Sequence, residues 1–310
     1  MKDGDLTTPL TREEMTHLPN NVFDTALIFE GGGMRASYAA AIVAGLLREG
    51  IFFDYTAGIS AGSSCVVNYV AREPVRARKS FVEIAADPNL GNAKTFLQGK
   101  GLFYSEYIYE EIPLPGGALP LDFNRLSSFG TKMRIGSFNV TTGKTEYWTE
   151  EDLTDLPSLM LAVRASSSLP ILMPPAKIHG DWHVDGAIGE NAGIALDVAE
   201  RDGFEKFVFV LTQPRDYVKE PMKHQALIRA LLNRLPGVAD AMLSRPDRYN
   251  ALRERIFELE KAGKAYVFWA DDMQVDTGER DEARLAFNYS LGEAQFKRDL
   301  PGLKKFLGID

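Results

Sequence analysis

A serine that could act as a nucleophile stands at the centre of Gly58-Ile59-Ser60-Ala61-Gly62, between an apolar run and a segment of helical pattern. At a sharp strand-to-helix turn, such a serine presents its hydroxyl above the end of the sheet. Gly58 and Gly62 suit this turn because larger side chains would collide across the bend. The start of the following helix adds positive potential at the hydroxyl. The pattern predicts a nucleophile elbow, although alone it also fits a capped turn without catalysis.

A glycine-rich segment, Gly31-Gly32-Gly33-Met34-Arg35, directly follows the apolar run 23–29. Consecutive glycines let backbone N–H groups converge on an anion, as the oxyanion of acyl transfer requires, and Arg35 would add positive charge. The rival interpretation is a dinucleotide site, because Gly31-x-Gly33-x-x-Ala36 nearly fits that fingerprint. Such a site also needs an acidic residue ending the second strand, whereas Asp54 lies early in it. Together with the elbow, the glycines favour an oxyanion hole facing the serine.

A carboxylate that could serve as the base is Asp185, in Asp185-Gly186-Ala187. The short extended stretch before it and the small residues after it suit a carboxylate presented at a tight loop. Taken alone, an ordinary turn aspartate is the better interpretation, since Asp-Gly is common in turns.

A Ser-His-Asp triad is the competing arrangement, because the chain contains four histidines. In α/β-hydrolases the histidine follows the acid, and only His224 does so, in a polar stretch typical of an exposed helix face. His183 precedes Asp185 by two residues, so both side chains point the same way along a strand. We interpret His183 as a structural or rim histidine, and we predict that no single histidine is essential.

The elements that must position these residues alternate between strand and helix, with short glycine turns. Apolar runs predict strands at 23–29, 52–57, 132–137, 145–148, 207–211 and 265–269. Helical spacing predicts a helix from the glycine loop to Gly50, one from the elbow to about Val70, and others at 158–164, 193–201, within 221–263 and at the C-terminus. The predicted fold class is α/β, with a mainly parallel central sheet flanked by helices and a C-terminal helical extension.

The sequence also suggests a division of the chain into three parts. Residues 1–22 are predicted to be a polar N-terminal leader, and 23–215 the domain that carries the three motifs. After Gln213-Pro214-Arg215 the composition becomes charge-rich and helical. Residues 216–310 are therefore expected to form a mostly helical extension packed on the same core.

The three motifs, in this order and spacing, resemble those of the patatin-like phospholipase family, and the resemblance covers roughly 26–212. The stretch Ala165-Ser-Ser-Ser-Leu-Pro170 is similar to a further family block that lines the site. Ala36 stands where the family's glycine loop usually ends in glycine, which affects only fine details of loop closure.

The resemblance implies that Gly31–Arg35 form the oxyanion hole, Ser60 is the nucleophile and Asp185 completes a two-residue dyad. It implies hydrolysis of phospholipid or lysophospholipid esters through an acyl-enzyme. We expect no cofactor and no metal, since the acidic run at 271–282 lacks the ligand pattern of a calcium loop and there is a single cysteine. The alternatives are a general carboxylesterase or lipase with the same dyad, a catalytically silent scaffold, or a nucleotide-binding α/β protein.

Composition limits the partners. The net charge of −8 and pI near 5.2 argue against nucleic acid and weaken attraction to anionic membranes. Any transient membrane contact is therefore expected through apolar surface. Residues 169–175 could line an acyl channel, touch a membrane or form a core strand, and residues 103–109 could form a lid or simply pack. The single cysteine, the polar N-terminus and the lack of long apolar runs lead to the expectation of a cytoplasmic protein of undetermined oligomeric state.

Overall fold

The central feature of the computed structural model, which describes residues 9–309, is an eight-stranded sheet in the order β5-β6-β3-β2-β1-β7-β8, with β4 paired to β3. The strands are β1 Ala26–Phe29, β2 Tyr55–Ile59, β3 Lys132–Asn139, β4 Lys144–Trp148, β5 Ala176–Ile178, β6 Asp181–Asp185, β7 Phe207–Leu211 and β8 Ala265–Trp269. The central strands β3, β2, β1, β7 and β8 run parallel, while β4, β5 and β6 make antiparallel pairs. The predicted α/β class with a mainly parallel sheet is confirmed.

Helices flank this sheet. They are α1 Arg12–His17, α2 Ala36–Arg48, α3 Ala61–Val70, α4 Pro74–Lys79, α5 Ala93–Leu97, α6 Phe123–Ser128, α7 Leu156–Ser167, α8 Leu196–Arg201, α9 Gln225–Leu231, α10 Pro236–Lys261 and α11 Glu282–Leu307. Within residues 9–309, no helix combines the length and apolarity needed to cross a membrane.

The innermost strands are buried on both faces, which explains their unbroken apolar sequences. Every residue of β1 and β7 is buried. Alternate side chains of β1 enter two separate hydrophobic clusters, one on each face of the sheet. Leu27 and Phe29 pack in the cluster that includes α2, α3 and α11. Ala26 and Ile28 pack in the cluster that includes α8 and α10. Each strand therefore holds helices on both sides of the sheet.

Several element boundaries differ from the sequence prediction, and the reason is clear for β2 and α8. Strand β2 spans Tyr55–Ile59 rather than 52–57. It begins later because Phe53 makes only an isolated bridge to the N-terminal segment, and it ends later because Gly58 pairs with β1 and β3 and Ile59 with β3. Helix α8 begins at Leu196 rather than near Gly193, because Ala192 and Gly193 have positive φ angles of 50° and 107°.

The predicted polar leader lies partly outside the described residues. Where the structure describes it, α1 is capped by Thr11 and buries Met15 against the core. The Arg72 guanidinium donates to the Leu18 carbonyl over 2.6 Å and also to that of Met15. At the other end of the chain, α11 packs on α2, with the Phe296 ring against Gly45. The three-part division itself remains a prediction.

Candidate active site

The turn at Ser60 has the strained geometry of a nucleophile elbow. Ser60 has φ 55° and ψ −129° between β2 and α3, a conformation that costs a non-glycine residue on the order of 1–3 kcal/mol. A Cβ atom at Gly58 would lie 2.4 Å from the Gly62 carbonyl oxygen, and one at Gly62 would lie 2.3 Å from that of Phe29. Both positions therefore require glycine, for the reason expected from the sequence.

Ser60 and Asp185, which lie 125 positions apart in the chain, are directly hydrogen-bonded. The Ser60 hydroxyl donates to Asp185 Oδ2 over 2.7 Å. The other carboxylate oxygen accepts the Ala187 N–H at 2.8 Å. Both side chains are buried, with Ser60 6% and Asp185 0% exposed. The two residues can therefore exchange a proton without an intervening water.

Asp185 reaches this position through the pairing of β6 with β3 and the tight turn after it. Its N–H donates to the Ser168 carbonyl at 2.9 Å, and its register partner on β3 is Ser137. A Cβ atom at Gly186 would lie 2.3 Å from the Gly136 carbonyl oxygen. The glycine is thus needed where the chain turns closely over β3.

Burial raises the pKa of Asp185 to about 6, against the opposing effects of the Ala187 N–H, the Ser60 hydroxyl and the positive charge of Arg245. A carboxylate in this range is a better proton acceptor than an exposed aspartate and is still ionised at neutral pH.

The glycine loop follows β1 at the same edge of the sheet. Three of its five N–H groups are engaged: Gly31 donates to the Gly193 carbonyl at 3.0 Å, Met34 to Thr277 at 3.0 Å and Arg35 to Gly32 at 3.3 Å. The N–H groups of Gly32 and Gly33 have no hydrogen-bond acceptor among residues 9–309. Gly33 and Met34 line the same cavity as Ser60.

Two residues that shape the site were not assigned roles from the sequence. The Ser166 hydroxyl accepts the Ser60 N–H at 2.9 Å and donates to the Gly136 carbonyl at 2.5 Å; its place in the Ala165–Pro170 block was the available signal. Thr277 lies in the acidic loop before α11, and its hydroxyl accepts from Arg35 Nη1 at 2.6 Å. Nothing in the local sequence of that loop marks this contact.

The histidines take no part in the contact between Ser60 and Asp185. His183 is buried, with Nδ1 3.0 Å from the Ser137 hydroxyl and Nε2 3.7 Å from a Glu146 oxygen. Burial lowers its pKa, although Glu146 opposes the shift. His224 lies just before α9 in a left-handed conformation. Among the described residues, no histidine is hydrogen-bonded to either member of the pair.

A cavity of about 210 Å³ opens beside Ser60. Its lining is mainly apolar and comes from several elements. Leu169, Leu172 and Met173 contribute from one of the two apolar stretches noted in the sequence, and Phe103, Ile108 and Tyr109 from the other. A pocket of this kind suits a ligand that is apolar along most of its length.

Fold and site together define an α/β protein whose elbow serine is bonded to a buried aspartate beside an apolar cavity. Residues 27–198 match the family described as "Patatin-like phospholipase", and residues 235–308 match a "Domain of unknown function (DUF6363)". The chain belongs to the patatin-like phospholipase family.

Individual proteins that are similar to this chain share about a quarter of its residues or fewer over the aligned region. "Uncharacterized protein YjjU" from Escherichia coli K12 is 23% identical over 66% of this chain and 57% of the relative. "Probable lipid hydrolase 463L" from Invertebrate iridescent virus 6 is 25% identical over 56% of this chain and 62% of the relative. This chain thus spans about three fifths of the length of these curated relatives. The crystal structure of VipD from Legionella pneumophila is similar with a TM-score of 0.49 and 14% identity, over 90% of this chain and 67% of VipD.

Proposed function

We propose that this protein hydrolyses carboxylic esters of lipids, namely phospholipids or lysophospholipids, with Ser60 as nucleophile and Asp185 as base. The observation that carries the proposal is the buried 2.7 Å hydrogen bond from the serine to the aspartate at the wall of an apolar cavity. Membership of the patatin-like phospholipase family and a relative named as a probable lipid hydrolase support the same chemistry.

In the first half-reaction, the Ser60 oxygen attacks the ester carbonyl carbon while its proton passes to Asp185 Oδ2. The negative charge that develops on the carbonyl oxygen is stabilised by the N–H groups of Gly32 and Gly33, with Arg35 adding positive potential. One such donor typically contributes about 3 kcal/mol to lowering the barrier. As the tetrahedral intermediate collapses, the ester C–O bond breaks, and the leaving alcohol takes the proton from Asp185.

In the second half-reaction, a water molecule attacks the carbonyl carbon of the acyl-enzyme. Asp185 accepts a proton from this water, and the same N–H groups again bind the oxyanion. The bond to Ser60 then breaks, the serine regains its proton from Asp185 and a fatty acid is released. No step in this cycle requires a histidine, a metal or a cofactor.

The apolar cavity supports a lipid as the proposed substrate. The exposed apolar residues around the cavity support access to it from a membrane. Leu172 lines the cavity and is 37% exposed. Its carbonyl accepts the Leu102 N–H in the loop that follows α5. At the end of α5, Phe96 and Leu97 are 43% and 86% exposed. We define Phe96, Leu97 and Leu172 as the apolar rim. We propose that the apolar rim touches the membrane surface transiently. Contact through apolar side chains is expected because the net charge of −8 gives little attraction to anionic lipid.

The test is labelling with a fluorophosphonate probe, followed by assays on p-nitrophenyl butyrate and on lysophosphatidylcholine. We expect the label on Ser60, and we expect both activities to fall at least about a thousandfold in Ser60→Ala and Asp185→Asn. His224→Ala serves as a control, because its removal leaves the pair intact. Labelling at another residue, or full activity in Asp185→Asn, would contradict the dyad; hydrolysis of the p-nitrophenyl ester alone would point to a general esterase.

A further inference from the structure

A second concave region lies on the C-terminal part of the chain. It is a groove of about 480 Å³ whose lining includes Lys219, Arg245, Met222 and Met242, with Glu220 as the lining carboxylate. Neither Lys219 nor Arg245 forms an ion pair within residues 9–309. In a chain with a net charge of −8, two neighbouring cations that form no ion pair favour a ligand of negative charge.

Lys219 is held in place by its backbone. Its N–H donates to Asn250 Oδ1 at 2.9 Å, and its carbonyl accepts from Asn250 Nδ2 at 3.0 Å. The ammonium group lies 5.0 Å from the centre of the Tyr249 ring. Burial lowers its pKa to about 8, and repulsion from Arg245 and Arg35 adds to the effect of burial. The ammonium group is thus repelled by two further cations, of which Arg245 lines the same groove.

Arg245 connects the groove to the active site. Its Nε donates to the Ala192 carbonyl at 3.2 Å, next to Gly193, whose carbonyl holds the Gly31 N–H. Its charge also lowers the pKa of Asp185. Arg35 follows the glycine loop; its Nη1 binds the Thr277 hydroxyl, while its buried Nε has no partner in the part of the chain that the structure describes.

The neighbouring carboxylate of Glu30 does not balance these charges. Glu30 is 1% exposed, and its oxygens accept the Tyr249 hydroxyl at 2.6 Å, the Thr212 N–H at 2.6 Å and the Thr212 hydroxyl at 3.2 Å. Glu30 is thus already bonded to other groups, and Glu220 is the carboxylate that lines the groove with Lys219 and Arg245. An anion that approaches these cations would gain charge-assisted hydrogen bonds from them.

We propose that Lys219 and Arg245, with positive potential from Arg35, form a binding site for a phosphate-type oxyanion beside the active site, and that it selects ester substrates of net negative charge over neutral ones. The selection rests on the proposed hydrolase function, whereas binding of the anion does not. Guanidinium and ammonium groups supply charge-assisted hydrogen bonds to such an oxyanion, and Met222 and Met242 suit the apolar part of the same ligand.

Binding is tested first with inorganic phosphate, by the shift in melting temperature at constant ionic strength. We expect phosphate to stabilise the wild type more than chloride does, Lys219→Met to lose most of that shift and Glu220→Gln to increase it. Lys223→Met is the matched control, since it removes the same charge from an exposed position nearby and should keep the wild-type shift. Equal shifts in all four proteins would overturn the site.

Selection is tested with dioctanoyl phosphatidic acid and dioctanoylglycerol, which differ in the phosphate. We expect Lys219→Met to lower kcat/KM for the phosphatidic acid about tenfold more than for the neutral ester, because a hydrogen bond to a charged group is lost. Lys223→Met should leave the ratio unchanged. A parallel loss on both substrates would show a structural role and overturn the proposal. Phosphate binding without an altered ratio would support the site but assign it to free phosphate, overturning the selection.

The two proposals fail in distinguishable ways. If Ser60 is not the nucleophile, p-nitrophenyl butyrate remains a substrate of Ser60→Ala, while the phosphate-dependent melting shift is unaffected. If the oxyanion site is wrong, the neutral ester is still hydrolysed by the wild type, and phosphate gives no specific shift.

Discussion

At the scale of single residues, the proposed chemistry depends on a carboxylate kept in an environment that disfavours its charge. Asp185 is fully buried, and two hydrogen bonds and Arg245 offset the cost of its ionisation only in part. That residual cost makes the carboxylate a stronger base, at the expense of stability. The higher basicity and the lower stability can both be measured from their dependence on pH.

The first is the pH dependence of activity. Asp185 must be ionised to accept the Ser60 proton, so kcat/KM for p-nitrophenyl butyrate should rise about tenfold per pH unit below about pH 6 and level off above it. The profile is measured at constant ionic strength, with the fold checked by circular dichroism at each pH. A flat profile between pH 4.5 and 7.5, roughly one and a half units on either side of that pKa, would contradict Asp185 as the base.

The second is the pH dependence of stability. Because folding raises the pKa of Asp185 from the ordinary 3.8 to about 6, the folded state holds the proton more tightly, and stability falls as pH rises between these values. The difference corresponds to about 3 kcal/mol. Asp185→Asn should therefore gain stability relative to the wild type between pH 4 and pH 7, roughly the interval spanned by the two pKa values. Urea unfolding at both pH values measures this, and a constant difference would refute it.

At the scale of elements, the glycine loop is held between β1 and the loop that precedes α11. Gly33 has φ 57°, and a Cβ atom there would lie 2.4 Å from the Thr277 carbonyl oxygen. That carbonyl also fixes the Met34 N–H. The C-terminal part of the chain thus forms one wall of the site and orients the loop proposed to bind the oxyanion.

Gly33→Ala should therefore reduce kcat by at least about a hundredfold, since displacing the loop removes oxyanion contacts. Gly130→Ala is the matched control: its φ is 63°, yet nothing lies within 4 Å of the added atom. Both variants share the cost of a left-handed alanine, about 1 kcal/mol, and only Gly33→Ala adds the collision. Similar activity in the two, measured on p-nitrophenyl butyrate, would argue against the role of the Thr277 contact.

At the scale of the whole molecule, the parallel strands β1 and β2 place the glycine loop and Ser60 at one edge of the sheet, beside a cavity that the rim residue Leu172 lines. Leu97→Glu adds a charge to the rim and should lower activity on phospholipid vesicles several-fold, because a charged side chain opposes burial in the interface. Hydrolysis of soluble p-nitrophenyl butyrate should not change. Phe23→Glu is the control, since Phe23 is 63% exposed and precedes β1, away from the strand ends that bear Ser60. Equal losses in both variants would contradict contact through the rim.

Local pattern was enough to predict much of this architecture. The apolar runs of β1 and β7 predicted buried strands, because a parallel sheet covered on both faces leaves no polar positions. Gly58 and Gly62 marked the elbow, because backbone packing there leaves no room for a side chain. The start of β2 was misplaced, since Phe52 and Phe53 are as apolar as a strand residue and only pairing distinguishes them.

By itself, the sequence determined the residue types, their order and the local turns: a serine at a glycine-flanked bend, glycines after a strand, and an aspartate before a small-residue turn. Only the tertiary structure decided that Ser60 and Asp185 touch, that Thr277 rather than a neighbour closes the glycine loop, and that Lys219 and Arg245 converge. The physical reason is that bends follow from local sterics, whereas contacts between residues distant in the chain depend on how the strands are ordered in the sheet and how the helices pack on it.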